Sequence, residues 1–234
     1  MSVKKLIKKW VRGFGYDIVS YSNIVSYSNR ECLRGLDLPY EIMLDAKLLP
    51  NRDYMLSLLP KGGIVAEVGV AYGDFTRKII DNLNPQKFYA IDVFHNGPGE
   101  EFWDRTDFTE SKMSQKEYIE NKFKKEIEES VFFTKKGFSW DMLDTFEDDF
   151  FDYVYLDAAH DYDSVKKDIG VLLKKIKNNG IIQFNDYTIY DWMGNCPYGV
   201  IRAVDEMLIN GKHEIKYYCL DKGGFNDIVV KIRK

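Results

Sequence analysis

A glycine-bearing turn follows the short β-branched run from Ile64 to Val68. The run stops at Gly69, and Gly73 precedes a helical pattern from Phe75 to Leu83, so the stretch predicts a strand, a tight turn and a helix. A turn of small residues lets a ligand lie against the backbone at the helix N-terminus, where free N–H groups and the helix dipole favour polar or anionic groups. The stretch therefore indicates a nucleotide-binding turn.

The glycine spacing restricts which nucleotide this turn binds. A dinucleotide fingerprint needs Gly-x-Gly-x-x-Gly, and here Ala71 and Asp74 stand where the later glycines would be. A nicotinamide oxidoreductase is therefore disfavoured. Asp92 ends a second predicted strand, Lys87 to Ile91, at nineteen residues beyond Gly73. An acid at this distance is placed to accept hydrogen bonds from both ribose hydroxyls of a bound nucleoside.

Polar side chains also follow two later predicted strands. One strand, Phe151 to Leu156, ends at Asp157, and the other, Ile181 to Phe184, ends at Asn185 and Asp186. An open α/β sheet binds its ligands at the carboxyl ends of its strands. We therefore expect these polar groups to lie at a binding site.

His160 lies three residues beyond Asp157, in the loop at this edge of the sheet. A lone histidine is more often a structural hydrogen-bonding group. Its unperturbed pKa of about 6.5 nevertheless suits proton abstraction near neutral pH. His160 is therefore a candidate base or acceptor contact, and Asp161 or Asp163 could orient its ring.

The elements that must position these residues alternate between strands and helices. The remaining predicted elements are a mostly helical segment from Leu38 to Leu59, helices over Ser114 to Glu129, Ser164 to Leu173 and Val200 to Ile209, a strand over Val131 to Thr134, and two closing runs, Glu214 to Leu220 and Asn226 to Ile232. Ser114 and Glu117 form a capping box at the start of their helix. The closing runs predict an antiparallel hairpin. The whole predicts an α/β fold with a doubly wound, mostly parallel sheet and one reversed strand near its edge.

The composition is that of a single domain with a full hydrophobic core. The chain has 234 residues, 45% of them hydrophobic, and a formal net charge of -4, which gives no global basic field for nucleic acid. The three cysteines form no C-x-x-C, so neither a disulfide framework nor a thiolate zinc site is indicated, and a reducing cytoplasm fits. No apolar run approaches the roughly 20 residues of a membrane span, and the start lacks a signal-peptide core.

Two segments carry no readable chemistry. Residues 1–37 are expected to be an appendage to a domain spanning residues 38–234. Within it, residues 3–12 read as a basic amphipathic helix that could pack on its own domain or on a second subunit, as in a homo-oligomer, or lie on an anionic membrane surface. A tandem I-V-S-Y-S-N repeat follows it, with no role indicated.

The polar, aromatic stretch at about 94–113 predicts a substrate lid, with a disordered insertion as the alternative.

Several motifs resemble class I S-adenosylmethionine-dependent methyltransferases. The turn E-V-G-V-A-Y-G, Glu67 to Gly73, is similar to the first motif of that class. D-Y-V-Y-L-D-A-A-H-D-Y-D-S-V-K-K-D-I from Asp152, N-G-I-I-Q-F-N-D-Y from Asn179 and G-V-I-R-A-V-D-E from Gly199 resemble the bacterial branch that modifies sugars, macrolides and cephalosporins. The resemblance covers roughly residues 60–232 and implies a Rossmann-like, seven-stranded sheet whose last strand is reversed.

The resemblance implies S-adenosylmethionine as the cofactor. The turn G-F-S-W-D falls where a loop would wall the adenine. The residues expected to bind the cofactor are Glu67, Gly69, Tyr72, Gly73, Asp92, Ser139 and Trp140.

Many relatives bind magnesium through an acid ending the fourth strand and an acidic or amide pair ending the fifth. This implies a metal site at Asp157, Asn185 and Asp186, because side chains at the ends of parallel strands about 4.8 Å apart can converge on one hard cation. The sequence departs from the family at Ala158 and Ala159, where Gly-Asp is usual, and some relatives work without a metal. The alternative is that the two aspartates cap helices or bind the amine of the cofactor.

The reaction implied is O-methylation of a hydroxyl on a small polar acceptor such as a sugar, with His160 and Asp157 as catalytic residues. Such a transfer needs a positioned nucleophile and a base. The alternative is a non-catalytic protein with the cofactor fold that assists assembly in a polysaccharide pathway. The polar groups at the strand ends argue against it, since a purely structural domain does not need them there.

Overall fold

The computed structural model describes residues 34–100, 105–211 and 213–234. The amphipathic helix expected at residues 3–12 and the tandem repeat lie outside these residues, so both stay predictions. Within the described ranges, no helix is both long and apolar enough to cross a membrane.

An eight-stranded sheet forms the centre of the protein, in the order β1-β9-β10-β6-β5-β2-β3-β4. The strands are β1 (Lys47–Leu49), β2 (Ile64–Val68), β3 (Lys87–Asp92), β4 (Phe132–Lys136), β5 (Phe151–Leu156), β6 (Ile176–Phe184), β7 (Tyr190–Asp191), β8 (Cys196–Pro197), β9 (Glu214–Cys219) and β10 (Asp227–Lys231). The short strands β7 and β8 pair separately. Strand β10 runs antiparallel to both β6 and β9, whereas the pairs among β2 to β6 are parallel. The predicted doubly wound sheet with a reversed strand in a terminal hairpin is confirmed.

The sheet has eight strands where seven were expected, and the additional strand comes from the segment predicted to be mostly helical, Leu38 to Leu59. That segment instead forms a 3-10 helix (Tyr40–Met43), strand β1 and a short helix, α1 (Arg52–Leu56). Strand β1 pairs in parallel with β9 and so supplies partners for an otherwise open sheet edge. Helix α1 starts afresh because Pro50 interrupts the chain and the Asn51 side chain accepts a hydrogen bond from the Tyr54 N–H at 2.7 Å.

Seven further helices connect the strands and cover the sheet. They are α2 (Asp74–Leu83), α3 (Thr106–Ser111), α4 (Gln115–Lys122), α5 (Lys124–Glu128), α6 (Ser139–Asp144), α7 (Tyr162–Lys175) and α8 (Val200–Asn210). The predicted capping box is confirmed, with Ser114 and Glu117 each bonded to the backbone N–H of the other. The single helix predicted over this region divides at Phe123, whose buried ring stacks on Phe132.

Two hydrophobic clusters hold the helices on opposite faces of the sheet. One joins β5 and β6 to α7 and α8 through residues such as Val154, Leu172 and Val204. The other joins β2 and β3 to α2 and α4 through residues such as Phe88 and Ile79. Because parallel strands end at the same edge, the loops after β2, β3, β5 and β6 meet there.

Candidate active site

A cavity of about 480 Å³ opens at the carboxyl ends of β2, β3 and β5. Its volume is in the range of small-molecule and cofactor sites. Four of the residues predicted to bind the cofactor line it, and so does one predicted catalytic residue: Gly69, Asp92, Ser139, Trp140 and Asp157. Three other predicted residues, Glu67, Tyr72 and Gly73, do not line it.

Gly69 is fixed by the close approach of two strand ends. Its backbone has φ +87°, and a Cβ atom there would lie 1.7 Å from the carbonyl oxygen of Asp157. The Asp157 N–H donates to the Val68 carbonyl at 2.7 Å, which ties the end of β5 to the end of β2. Glycine at this position therefore brings the loop after β2 and the loop after β5 together in one wall of the cavity.

Gly73 and Tyr72 lie on the side of the turn that packs against α2 and α4. Gly73 is the N-cap of α2 with φ +69°, and a Cβ atom there would lie 2.7 Å from the Phe123 ring. The buried Tyr72 ring packs on Phe108, with ring centroids 5.1 Å apart, and meets Tyr118 edge-on. Both residues therefore support the turn from the side that does not line the cavity.

Phe108 and Arg105 belong to the stretch predicted to be a substrate lid. Phe108 is fully buried, and Arg105 forms ion pairs with Asp74 and Asp107. The described parts of this stretch therefore pack on α2 and α4. Its role as a lid stays a prediction.

Asp92 ends β3 and lines the cavity as predicted. One of its oxygens accepts from the Val70 N–H at 2.8 Å and the Ala71 N–H at 3.3 Å, and the other accepts from the Phe94 N–H at 2.8 Å. A carboxylate has about four acceptor positions, so it can still accept from a ligand. Asp92 thus holds the loop after β2 and offers an acid to the cavity.

Glu67 lies beneath the turn. Its side chain is buried and accepts a hydrogen bond from the Thr76 hydroxyl of α2. Burial raises the pKa of Glu67 well above its usual range, against the opposing effect of Thr76. Glu67 therefore joins β2 to α2 and does not reach the cavity.

Three further residues line the cavity without having been named as binding residues: His95, Gln115 and Phe138, the last within the predicted G-F-S-W-D turn. The Gln115 side chain donates to the Ala71 carbonyl at 3.0 Å, while its oxygen is buried without a hydrogen-bond partner among the described residues. Phe138 stacks on Trp140 with ring centroids 5.1 Å apart and planes 4° from parallel. The sequence around Gln115, at the start of α4, did not indicate that its side chain contacts the turn after β2.

These features fit S-adenosylmethionine. The unpaired Gln115 oxygen is an acceptor for an N–H donor, Asp92 is an acceptor for ribose hydroxyls, and the Phe138–Trp140 pair offers flat apolar surface to an adenine. The glycine at position 69 keeps side-chain atoms out of the cavity at the point where the strand ends meet. The residues present thus match the polar and aromatic parts of the cofactor.

The predicted catalytic pair meets at the edge of this cavity. His160 Nε2 lies 3.4 Å from an Asp157 oxygen and 3.6 Å from an Asp186 oxygen. The His160 ring stacks on Tyr198 with centroids 4.5 Å apart. The Gly199 N–H also donates to the His160 carbonyl at 2.7 Å, so the loop before α8 supports this histidine.

The carboxylates beside His160 are not those expected from the sequence. Asp161 caps α7 by accepting from the Ser164 N–H at 3.0 Å, and Asp163 is exposed. Asp157 and Asp186 face the ring instead, because the ends of β5 and β6 are neighbours in the sheet. The expectation that Asp161 or Asp163 orients the ring is therefore wrong.

The protonation of this cluster follows from its burial and its charges. Burial alone would lower the pKa of His160, and the neighbouring carboxylates of Asp157 and Asp186 outweigh this effect and raise that pKa. Burial raises the pKa of Asp186 to about 6, and the nearby Asp157 charge adds to the effect while His160 opposes it. Asp186 also has φ +53°, a conformation that is uncommon outside glycine and that recurs at functional sites.

The three side chains predicted to bind magnesium do converge, but their polar atoms are bonded to other groups. Asn185 donates from Nδ2 to Asp157 at 2.9 Å, and its Oδ1 accepts from Arg52 at 2.9 Å and lies 3.0 Å from the Tyr155 hydroxyl. Among the residues that the structure describes, no group of three or more His, Cys, Asp or Glu side chains is arranged to hold a metal ion. This arrangement does not fit a magnesium ion on Asn185.

Comparison with known proteins gives the family. The model of a family described as a methyltransferase domain matches residues 66–187, which is more than half of the chain. No curated protein matches the sequence with significant similarity.

Solved structures share the fold at low sequence identity. The O-methyltransferase TomG from Streptomyces achromogenes, in complex with S-adenosylmethionine, is 16% identical with a TM-score of 0.55, over 78% of this chain and 80% of that one. The tRNA methyltransferase TrmK of B. subtilis is 10% identical with a TM-score of 0.53, over 80% and 67% of the two chains. An rRNA methylase from Streptococcus thermophilus is 13% identical with a TM-score of 0.52, over 78% and 95%. The chain belongs to the methyltransferase domain family, and it is an S-adenosylmethionine-dependent methyltransferase.

Proposed function

We propose that this methyltransferase transfers a methyl group to a hydroxyl of a small polar acceptor such as a sugar or glycan precursor. The observation that carries the proposal is the contact between Asp157, which lines the cofactor cavity, and His160, which lies just outside it. A hydroxyl becomes a good nucleophile when a group at the site takes its proton. A binding protein without catalysis would not need this pair beside the cavity.

Bound S-adenosylmethionine supplies an electrophilic methyl group. The chain itself binds the nucleoside through Asp92 and the Phe138–Trp140 wall, and it places an acid–histidine pair where the acceptor would approach. Because His160 Nε2 is buried against the carboxylates of Asp157 and Asp186, it keeps its proton, and the acceptor hydroxyl gives its proton to the other ring nitrogen, Nδ1. The two carboxylates stabilise the resulting imidazolium. This is the same influence that raises the pKa of His160. No step of this mechanism passes through a metal.

Aromatic side chains in the segment from β7 to α8 support a sugar-like acceptor. Tyr198 stacks on the histidine, and the exposed Trp192 lies in the turn between β7 and β8. Trp192 stacks on Phe225 and donates from its indole to the Gly223 carbonyl at 2.9 Å, which holds the ring in place. Flat aromatic surface beside polar groups suits the apolar face and hydroxyls of a sugar ring. Cytoplasmic location, homo-oligomerisation and the absence of a nucleic-acid partner stay predictions.

The test begins by finding the acceptor class. Purified protein is incubated with S-adenosylmethionine and separate pools of sugar nucleotides, small phenols and RNA, and methylated products are found by mass spectrometry. We expect an O-methylated sugar derivative. Methylation of RNA alone would refute the small-acceptor proposal.

His160→Gln is then compared with His213→Gln as a control. His213 directly precedes β9, and its Nδ1 accepts a hydrogen bond from the Arg233 backbone N–H. Both variants should bind S-adenosylhomocysteine normally. Removal of a general base should cost about 10²- to 10⁴-fold in rate for His160→Gln only. A loss below about tenfold would show that His160 is not the base.

A further inference from the structure

Arg52 contacts the candidate active site although it lies before β2, outside the strands and loops that form the cavity. It begins helix α1, ahead of β2, yet its Nη1 donates to the Tyr155 hydroxyl at 2.6 Å and to Asn185 Oδ1 at 2.9 Å. The guanidinium lies over the Phe75 ring, 4.5 Å from its centroid. A half-buried cation is thus held by one aromatic face and two polar groups at the ends of β5 and β6.

The charge of Arg52 is permanent at this position. Burial alone would lower its pKa, and interactions with Tyr155 and with the carboxylates of Asp227, Asp157 and Asp186 outweigh it, so the pKa is raised. An arginine guanidinium does not lose its proton in proteins. The acids at the end of the sheet therefore have a cation supplied by the chain.

Asn185 connects this cation to the reacting end of the site. Its oxygen faces Arg52 and Tyr155, and its Nδ2 donates to the Asp157 oxygen that also faces His160. An amide oxygen has two lone pairs, and two donors already lie within 3.0 Å of this one. Asn185 therefore presents an N–H group, not an oxygen, toward Asp157, which is the opposite of what a metal ligand must do.

We propose that Arg52 replaces a metal ion in this enzyme, acting through Asn185 as a positioning residue that orients Asp157 toward His160 and keeps divalent cations from the ends of β5 and β6. The inference rests on the proposed function for the roles of Asp157 and His160. The exclusion of a metal by Arg52 can be measured without any acceptor.

Binding of Mn²⁺ alone is measured by electron paramagnetic resonance, in the full-length protein and in two variants. Arg52→Met keeps an unbranched apolar stem and removes the guanidinium with its charge, while Arg52→Lys keeps the charge. We expect no saturable Mn²⁺ binding below about 1 mM for the wild type and for Arg52→Lys, and a new site in Arg52→Met with a dissociation constant at least tenfold lower than this limit. Adding Asp157→Asn to Arg52→Met should abolish the new site.

Two results would overturn the proposal. One is saturable Mn²⁺ binding to the wild type that Asp157→Asn removes, which would place a metal there beside Arg52. The other is the absence of binding in a folded Arg52→Met variant, which would show that Arg52 is not what excludes the metal. If Arg52→Met does not fold, Arg52→Gln takes its place under the same criteria. S-adenosylhomocysteine binding is measured on each sample, so that a failure of the proposed function is seen separately from the Mn²⁺ result.

Discussion

Asp168 is a buried acid behind the cofactor cavity, and it offers a test of how burial sets stability. It lies on α7 with no exposed surface, and neither of its oxygens meets the geometry of a hydrogen bond with a described residue. Burial raises the pKa of Asp168 from 3.8 to about 6, with the neighbouring Ser139 hydroxyl opposing the shift. A carboxyl with a raised pKa prefers to be neutral in the folded protein.

The magnitude follows from the pKa difference. A shift of about two units at about 1.36 kcal/mol per unit makes the ionised side chain cost about 3 kcal/mol of folding free energy. Because the folded protein holds the proton of Asp168 to higher pH than the unfolded chain does, the contribution of Asp168 to stability falls as pH rises from about 4 to about 6 and is then constant. Asp168→Asn is neutral at every pH, so it should escape this loss.

The assay is thermal unfolding of the wild type and Asp168→Asn at pH 4.5 and pH 7.5, with the exposed Asp163→Asn as the matched control. We expect Asp168→Asn to gain about 1–3 kcal/mol at pH 7.5, which is several degrees in Tm for a chain of this size, and much less at pH 4.5. Asp163→Asn should change little at either pH. An equal effect of Asp168→Asn at both values, or a loss at pH 7.5 alone, would refute the reasoning.

Three further substitutions, one of them with a matched glycine control, test the residues at and beneath the cavity wall. Gly69→Ala should cost more than about 4 kcal/mol or prevent folding, because its Cβ would meet the Asp157 carbonyl, whereas Gly170→Ala, with open space around its Cβ, should gain about 0.5–1 kcal/mol by denaturant unfolding. Asp92→Asn should raise the Kd of S-adenosylhomocysteine at least tenfold by calorimetry, about 1.4 kcal/mol, and an unchanged Kd would mean that Asp92 serves only the loop. Glu67→Gln should leave that Kd within about threefold, since Glu67 does not line the cavity. A larger loss of affinity would show that Glu67 contributes to cofactor binding.

The sequence predicted the parts of the fold that depend on local pattern. β-Branched runs and apolar periodicity located β2, β3, β5 and most helices, since these signals come from neighbouring residues. The mixed segment before β2 was misread because strand β1 exists only through its pairing with β9, some 170 residues away. A pairing at that distance leaves little mark on local composition.

Part of the cavity lining was predictable for a similar reason, and the position of Glu67 outside the cavity has a simple cause. Asp92, Ser139 and Asp157 follow strand ends, where a parallel sheet places its ligands. Glu67 is one residue before the end of β2, and alternation along the strand puts it on the face of Val65, under α2. Reading the motif without that alternation led to the expectation that Glu67 meets the cofactor.

Arg52 could not be found from the sequence. It lies 133 residues from Asn185, in a helix of only five residues, and no spacing rule links the two. Its contact with Asn185 depends on the pairing of β1 with β9, which positions the segment before β2.

The parallel pairing of β1 with β9 has a consequence for the order of folding. Strand β1 is near the start of the described chain, and its partner, residues 217–219, is near the end. Contacts between residues so far apart form late, because the intervening chain must first be ordered. During synthesis, β2 to β4 have neighbours as soon as they emerge, whereas β1 waits for almost the whole protein. Helix α1 follows β1 directly, so the arginine at its start is expected to arrive last, and a truncated or partly made chain would hold the cofactor loops without this cation.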